Sequence, residues 1–289
     1  MKILQTPAEM RAWRAAHPGS LGLTPTMGYL HDGHLALARR SVAENDVSAA
    51  SIFVNPAQFG PGEDYERYPR DEERDLALLR DAGIDAVYLP GVEAMYPEGY
   101  QTYVTVEGLA QGLEGASRPV HFRGVATVVT KLLNVVRPDR AYFGKKDAQQ
   151  LRVIRRLVRD LDLPVEIVAC ETVREADGLA MSSRNAYLTP EQRAAASVLS
   201  RALRWAEELY ADGVRDAESL RAGVRAVVGS EPLGELDYVS VADSETLAEV
   251  EGEVAGEGLL SLAVRFGAVR LIDNVTLGEE KGGDGLSGS

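Results

Sequence analysis

Apolar residues follow two rhythms along the first 173 positions. Short runs at Leu21 to Pro25, Val47 to Val54, Ala86 to Leu89, Arg140 to Phe143 and Val165 to Cys170 are apolar at successive positions, as strands buried on both faces are. Between them, His34 to Asn45, Arg70 to Ala82, Val125 to Val136 and Ala148 to Leu161 repeat apolar residues at helical spacing. The alternation predicts βαβ units and an α/β fold built on a doubly wound, Rossmann-like parallel sheet. After about Arg174 the rhythm changes to a helical stretch from Pro190 to Ala211, a helix near Ala217 to Val228, and strands at Leu236 to Ala242, Leu259 to Val264 and Val269 to Asp273. The predicted division is a larger sheet domain over 1–173 and a smaller, lid-like α+β domain over 174–289. A Gly- and Ser-rich tail from Gly278 has the composition of a disordered segment. That tail contains Gly283-x-Gly285-x-x-Gly288, but no strand leads into it and no helix can follow, so it is discounted as a dinucleotide loop.

The polar motifs fall where such a sheet would use them. Thr26 to His34, Asn55 to Phe59 and Gly144 to Gln150 each leave a predicted strand, and open parallel sheets bind ligands at the carboxyl ends of their strands. A fourth motif, Met181 to Asn185, opens the segment after the last of these strands, near the predicted hinge.

Composition narrows the classes. With 289 residues and 45% apolar content the chain can fill a sizeable core. Its formal charge of −13 opposes nucleic-acid binding, although a few cations can still focus on a small anion in one cleft. No apolar run is long enough for a membrane helix, and the first twenty residues have no secretory pattern, so the expected location is cytoplasmic, with no membrane partner. Cys170, the single cysteine, lies in an apolar run and reads as core.

The first motif, Thr24-Pro-Thr-Met-Gly-Tyr-Leu-His-Asp-Gly-His34, breaks a buried strand at a glycine and enters a helix whose first turn carries His31 and His34 on one face. Unsatisfied N–H groups at a helix start attract phosphate, and two imidazoles there can donate to it. A capping turn with incidental histidines, or half of a metal site, would give the same residues. The later Met181-Ser182-Ser183-Arg184-Asn185 offers two hydroxyls and a guanidinium to a leaving pyrophosphate, or is simply a polar turn before the helix that Thr189 caps. Asn55-Pro56-x-Gln58-Phe59 reads either as an Asn-Pro turn or as the carrier of an amide able to hold a hydroxyl or carboxylate. Phe143-Gly144-Lys145-Lys146-Asp147-Ala148-Gln149-Gln150 places a cation for phosphate, a carboxylate for Mg²⁺ and an amide one turn further on. Arg118 to Gly124 is a Pro- and Gly-bounded connection, or a loop in which His121 takes part in catalysis.

His-x-Gly-His followed by a Met-Ser-Ser-Arg loop resembles the α/β nucleotidyltransferase superfamily, and with the Asn-Pro-x-Gln-Phe and Gly-Lys-Lys-Asp motifs in the same order it resembles the pantothenate synthetase family from about Leu23 to Tyr187. The resemblance implies AMP-forming ligation of pantoate to β-alanine through a pantoyl-adenylate, with ATP as substrate, Mg²⁺ as cofactor and a homodimer as the assembly. It implies that ATP meets Met27, Gly28, Tyr29, Leu30, His31, Asp32, Gly33 and His34, then Gly144, Lys145, Lys146 and Asp147, then Val173, and finally Met181, Ser182, Ser183 and Arg184. Gln58 and Gln150 would grip pantoate, Gln58 would also meet β-alanine, and Asp147 would hold Mg²⁺. His34, His31, Lys146 and Arg184 would carry the catalysis. The family often has Glu where this chain has Lys145, so at that position the implied contact is through the backbone. A nucleotidyltransferase that stops at an adenylated product, and a module that binds ATP without cleaving it, fit the nucleotide motifs equally well.

Overall fold

In the computed structural model, which describes residues 1–278, a six-stranded sheet is made by β1 (Lys2–Leu4), β2 (Leu21–Thr26), β3 (Val47–Ile52), β4 (Ala86–Tyr88), β5 (Arg140–Gly144) and β6 (Glu166–Cys170). Every pairing is parallel and the order is β1-β4-β3-β2-β5-β6. Alternate strand residues go to opposite faces, as the pleat requires. Leu23, Ala49 and Ala86 pack with α1 (Pro7–Ala16), α6 (His121–Val136) and α7 (Ala148–Asp160). Ala50, Ile52 and Val87 pack with α2 (Asp32–Glu44) and α3 (Glu72–Asp81) on the other face. Short α4 (Val92–Met95) and α5 (Glu114–Ser117) lie in the connections.

The chain winds one way from β2 through β3 and β4 and the other way through β5 and β6, so the topological switch lies between β2 and β5. There the pairing stops early. β2 meets β5 only at Gly22 and Leu23, whereas its register with β3 runs through Thr26. Pro25 has no N–H to donate, and it occupies the part of β2 where β5 is no longer a partner. The two strands therefore part at their carboxyl ends, leaving a crevice where the fold class places ligands.

The described residues fall into two compact units, Met1–Ala176 with Ala180–Ala186, and Asp177–Leu179 with the chain from Tyr187 on. Met181 to Asn185, which the sequence division assigned to the second domain, packs with the first unit, because its side chains bond to residues of that unit. The second unit holds α8 (Pro190–Ala195), α9 (Val198–Ala211), α10 (Ala217–Gly229) and an antiparallel sheet of β7 (Glu235–Asp243), β8 (Gly258–Phe266) and β9 (Val269–Leu277). The stretch read as one helix from Pro190 is two. Ser197 Oγ bonds the Ala194 carbonyl and Leu199 N reaches back only three residues to Ala196, which tightens the chain between them. α6 begins at His121, not Val125, so half of the expected Arg118–Gly124 loop is helix. The Gly283 to Gly288 pattern lies outside the described residues.

Candidate active site

Beyond β2 the backbone turns through Gly28 at φ +82° and Tyr29 at φ +51°, and the turn is held in part from outside the motif. Asp75 of α3, only 1% exposed, accepts from Tyr29 N at 2.6 Å and Leu30 N at 2.7 Å. Burial raises the pKa of this carboxyl, while the two backbone donors act in the opposite direction. A Cβ on Gly28 would stand 2.9 Å from Asp75 Oδ2, so the close approach itself requires glycine. Thr26 Oγ1 accepts from Gly28 N at 3.2 Å and donates to Ser51 O at 2.8 Å, tying the turn to β3.

The turn delivers His31 to the N-cap of α2 and His34 to its third position. The ring centroids are 4.0 Å apart at 34°, and a Cβ on Gly33 would come within 2.9 Å of the His31 ring. Burial first, then the charge of Lys146, lowers His31 to about 4. Burial, and then His31, lowers His34 to about 3. Both imidazoles are thus neutral near pH 7. His34 Nδ1 accepts from His31 N at 3.4 Å, which leaves the proton on Nε2, where it can be donated to an anion. Among the described residues Nδ1 of His31 is buried without a hydrogen-bond partner.

Across the β2/β5 gap, β5 runs into a 3-10 turn at Lys145–Asp147. Lys146 Nζ lies 3.5 Å from Asp147 Oδ1, and Lys145 Nζ reaches Glu171 at 2.7 Å, so Lys146 rather than Lys145 is directed at the carboxylate next to it. Desolvation raises the pKa of Asp147, but Lys146, Arg184 and His121 together hold it below the usual carboxylate range. Among the described residues no three His, Cys, Asp or Glu side chains gather as a metal cage. One ionised carboxylate fits Mg²⁺ nonetheless, because that ion takes most of its oxygens from water and substrate phosphates.

The Met181–Arg184 segment closes the same cleft. Met181 N bonds Val173 O at 3.0 Å, which places Val173 at its base, and Met181 Cβ is 3.7 Å from where a Cβ on Gly33 would be. Ser182 Oγ accepts from Arg184 N at 3.3 Å, and Ser183 Oγ donates to Tyr29 O at 3.1 Å. Arg184 forms a two-point pair with Asp64 at 3.0 and 3.1 Å. Ser183 and Met181 thus set this segment against the imidazole turn, and the charges of Lys146 and Asp147 bear on the protonation of both imidazoles.

Gln58 ends a 3-10 turn, Pro56–Gln58, that Asn55 caps. Asn55 Nδ2 donates to Gln58 Oε1 at 3.0 Å and to Gly124 O at 3.1 Å, Tyr96 Oη donates to Asn55 Oδ1 at 2.7 Å, and Gln58 Nε2 lies 3.1 Å from Met27 Sδ. His121 works from behind this turn. Its Nδ1 donates to Gln58 O at 3.1 Å and its Nε2 accepts from Arg118 at 3.3 Å, with burial and then Arg118 lowering it to about 4. Gly124 lets α6 lie on the turn, since a Cβ there would be 2.3 Å from Ala57 O. Gln150 is half-buried and its amide has no protein partner among the described residues, while its buried neighbour Gln149 bonds Glu114 N, Leu109 O and Gly112 O at 2.8 to 2.9 Å. Sequence reasoning missed Asp75, Asp64 and Tyr96, which lie in stretches without a motif.

A sequence model described as Pantoate-beta-alanine ligase matches residues 2–276. The chain belongs to that family. Pantothenate synthetase of Chloroflexus aurantiacus is 62% identical to this ligase-family chain over 282 residues, 97% of this chain and 100% of that one. That of Moorella thermoacetica is 57% identical over 280 residues, 96% and 99% of the two. The solved pantothenate synthetase of Thermus thermophilus matches with a TM-score of 0.90 at 53% identity, covering 95% of this chain and 99% of that one. A pantoate-beta-alanine ligase from Francisella tularensis, solved in complex with beta-gamma ATP and beta-alanine, matches at 0.79 and 33% identity over 97% and 98%. The parallel six-stranded sheet with a small antiparallel one is the fold of this ligase family.

Proposed function

We infer that this chain condenses pantoate with β-alanine at the cost of ATP, through a pantoyl-adenylate, releasing AMP and pyrophosphate. The observation that supports the reading is the packing of the Met181–Arg184 segment on the imidazole turn, through Ser183 Oγ to Tyr29 O at 3.1 Å, beside the Lys146-Asp147 turn that leaves the neighbouring strand β5. In the first step the carboxylate oxygen of pantoate attacks the α-phosphorus and the bond to pyrophosphate breaks. Gln58 and Gln150 hold the pantoate, and the Nε2–H of His34 donates to the phosphate as its charge grows. Lys146 and Arg184 follow the charge that moves onto pyrophosphate. Asp147 would hold Mg²⁺, which would supply further charge neutralisation on the phosphates. In the second step the amine of β-alanine attacks the acyl carbon and AMP leaves. No protein nucleophile is needed, because the adenylate already activates the acyl group.

The test is a product assay with ATP, Mg²⁺, pantoate and β-alanine, together with pantoate-dependent exchange of labelled pyrophosphate into ATP. AMP, pyrophosphate and pantothenate are expected, whereas ADP and phosphate would replace the adenylate with an acyl phosphate. Removing the imidazole in His34→Ala lowers the exchange rate roughly 10²- to 10⁴-fold, the scale of one transition-state donor.

A further inference from the structure

The guanidinium that would follow pyrophosphate is already held by a carboxylate. Arg184 donates from Nε and Nη2 to Oδ2 and Oδ1 of Asp64 at 3.0 and 3.1 Å, with the two side chains 29% and 18% exposed. Asp64 belongs to the segment that follows Gln58, and its neighbour Glu63 forms a second two-point pair, with Arg118, at 2.6 and 3.0 Å. The segment is therefore anchored at two consecutive carboxylates. A guanidinium fork matches the two oxygens of a carboxylate and the two oxygens of a phosphate equally well, and it cannot serve both at once with the same pair of N–H groups. Of the remaining charges near Arg184, Asp147 is itself countered by Lys146, so neither can take over the role of Asp64.

We propose that Asp64 is a positioning residue that stands in for phosphate: it keeps the Arg184 fork extended in the nucleotide cleft and gives it up to the pyrophosphate oxygens when a polyphosphate binds. Binding is then an exchange of one anion for another. Held in this way, Arg184 neither swings into solvent nor collapses onto Asp147. A ligand must bring enough charge to displace a carboxylate, so pyrophosphate and ATP gain the arginine and a monophosphate such as AMP leaves it with Asp64. The inference rests on the reading of Arg184 as a phosphate ligand.

Calorimetric titration of inorganic pyrophosphate into the full chain tests it, with wild type, Asp64→Asn and Arg184→Ala compared after circular dichroism has shown each to be folded. Asp64→Ser serves the same comparison if the amide variant does not fold. Removing the competing carboxylate tightens pyrophosphate binding roughly two- to fivefold, the range for a partly exposed ion pair, whereas a residue that only braced the loop would weaken it when replaced. In the Arg184→Ala background the same Asp64 substitution has no effect on pyrophosphate. A folded Asp64→Asn protein that binds pyrophosphate no better than wild type, while Arg184→Ala binds it worse, overturns the exchange and leaves the role of Arg184 standing. Unchanged binding in Arg184→Ala overturns both.

Discussion

Replacing Asp75 with alanine tests whether the nucleotide turn is held from outside its own motif. The carboxylate accepts from Tyr29 N and Leu30 N at 2.6 and 2.7 Å, in a site where it is 1% exposed. Two buried N–H groups left without acceptors cost about 1–3 kcal/mol each, against which the variant no longer buries a charge, so a net loss of about 2–4 kcal/mol is expected. For a unit of this size that lowers Tm by roughly 5 to 10 °C. The turn also holds Tyr29 at φ +51°, a conformation about 1–2 kcal/mol above the right-handed one, and without its clamp the chain relaxes away from it. Because His31 is the cap residue just beyond, the displacement reaches the imidazole pair, and ATP affinity falls by tenfold or about 1.4 kcal/mol, while pantoate, for which Gln58 and Gln150 are the proposed ligands, is little affected. Asp75→Asn keeps the shape but points its NH₂ at one of the two donors, so it recovers at most half of the loss. Thermal unfolding and ATP titration decide the matter. A folded Asp75→Ala protein with Tm within about 2 °C of wild type and unchanged ATP affinity would refute the clamp.

Three further outcomes follow from the same geometry. His31 at about 4 and His34 at about 3 are held below their ordinary value of 6.5, so the unfolded chain takes up protons that the folded one refuses. Stability is therefore full above pH 6.5 and declines as pH falls toward 3, and urea midpoints at pH 7 and 4.5 should differ less in His34→Asn than in wild type. Gly124→Ala would set a Cβ 2.3 Å from Ala57 O, backbone against backbone, costing about 2–4 kcal/mol and raising KM for pantoate by displacing Gln58, whereas a wild-type KM would show that the turn does not depend on this packing. Gly33→Ala crowds the His31 ring at 2.9 Å and should lower the exchange rate without loss of Tm. Gly144→Ala, whose Cβ meets nothing nearer than Lys146 N at 4.0 Å, is the matched control for stability.

Strands β2 to β6 of the parallel sheet were legible because each lies in a run apolar at successive positions and bounded by helical spacing. β1 and β4 both have three residues, but β4 is buried throughout and lies in an apolar run, whereas β1 buries only Leu4 and was missed. α1 was missed although its signal is present: Thr6-Pro7-Ala8-Glu9 is a capping box with proline at the first helical position, and the structure makes both of its hydrogen bonds. Pro119 and Gly124 read as loop punctuation, yet Gly124 is inside a helix because only hydrogen fits against Ala57. In the site, the motifs were readable because each is contiguous and follows a strand. Their supports were not. Asp75 lies in Glu72–Asp81, an acidic amphipathic stretch in which nothing local separates it from the solvated Glu72 and Glu73, and only the tertiary approach of Tyr29 and Leu30 does. Asp64 and Tyr96 likewise acquire their roles from partners 120 and 41 residues away.

The hydrogen-bond chain behind Gln58 has a direction. Ala57 N–H can only donate and Gly124 O can only accept, so the Asn55 amide turns its oxygen toward Ala57 and Tyr96 and its NH₂ toward Gly124 and Gln58. Gln58 must answer with its own oxygen, and its NH₂ is left facing Met27 and the space beyond. The glutamine is thus polarised: it meets a visitor as a giver of protons, suited to the lone pairs of a carboxylate or alcohol oxygen and ill-suited to an ammonium. The sense of a side chain beyond the end of one strand is thereby set by two backbone groups, the N–H of Ala57 and the carbonyl of Gly124.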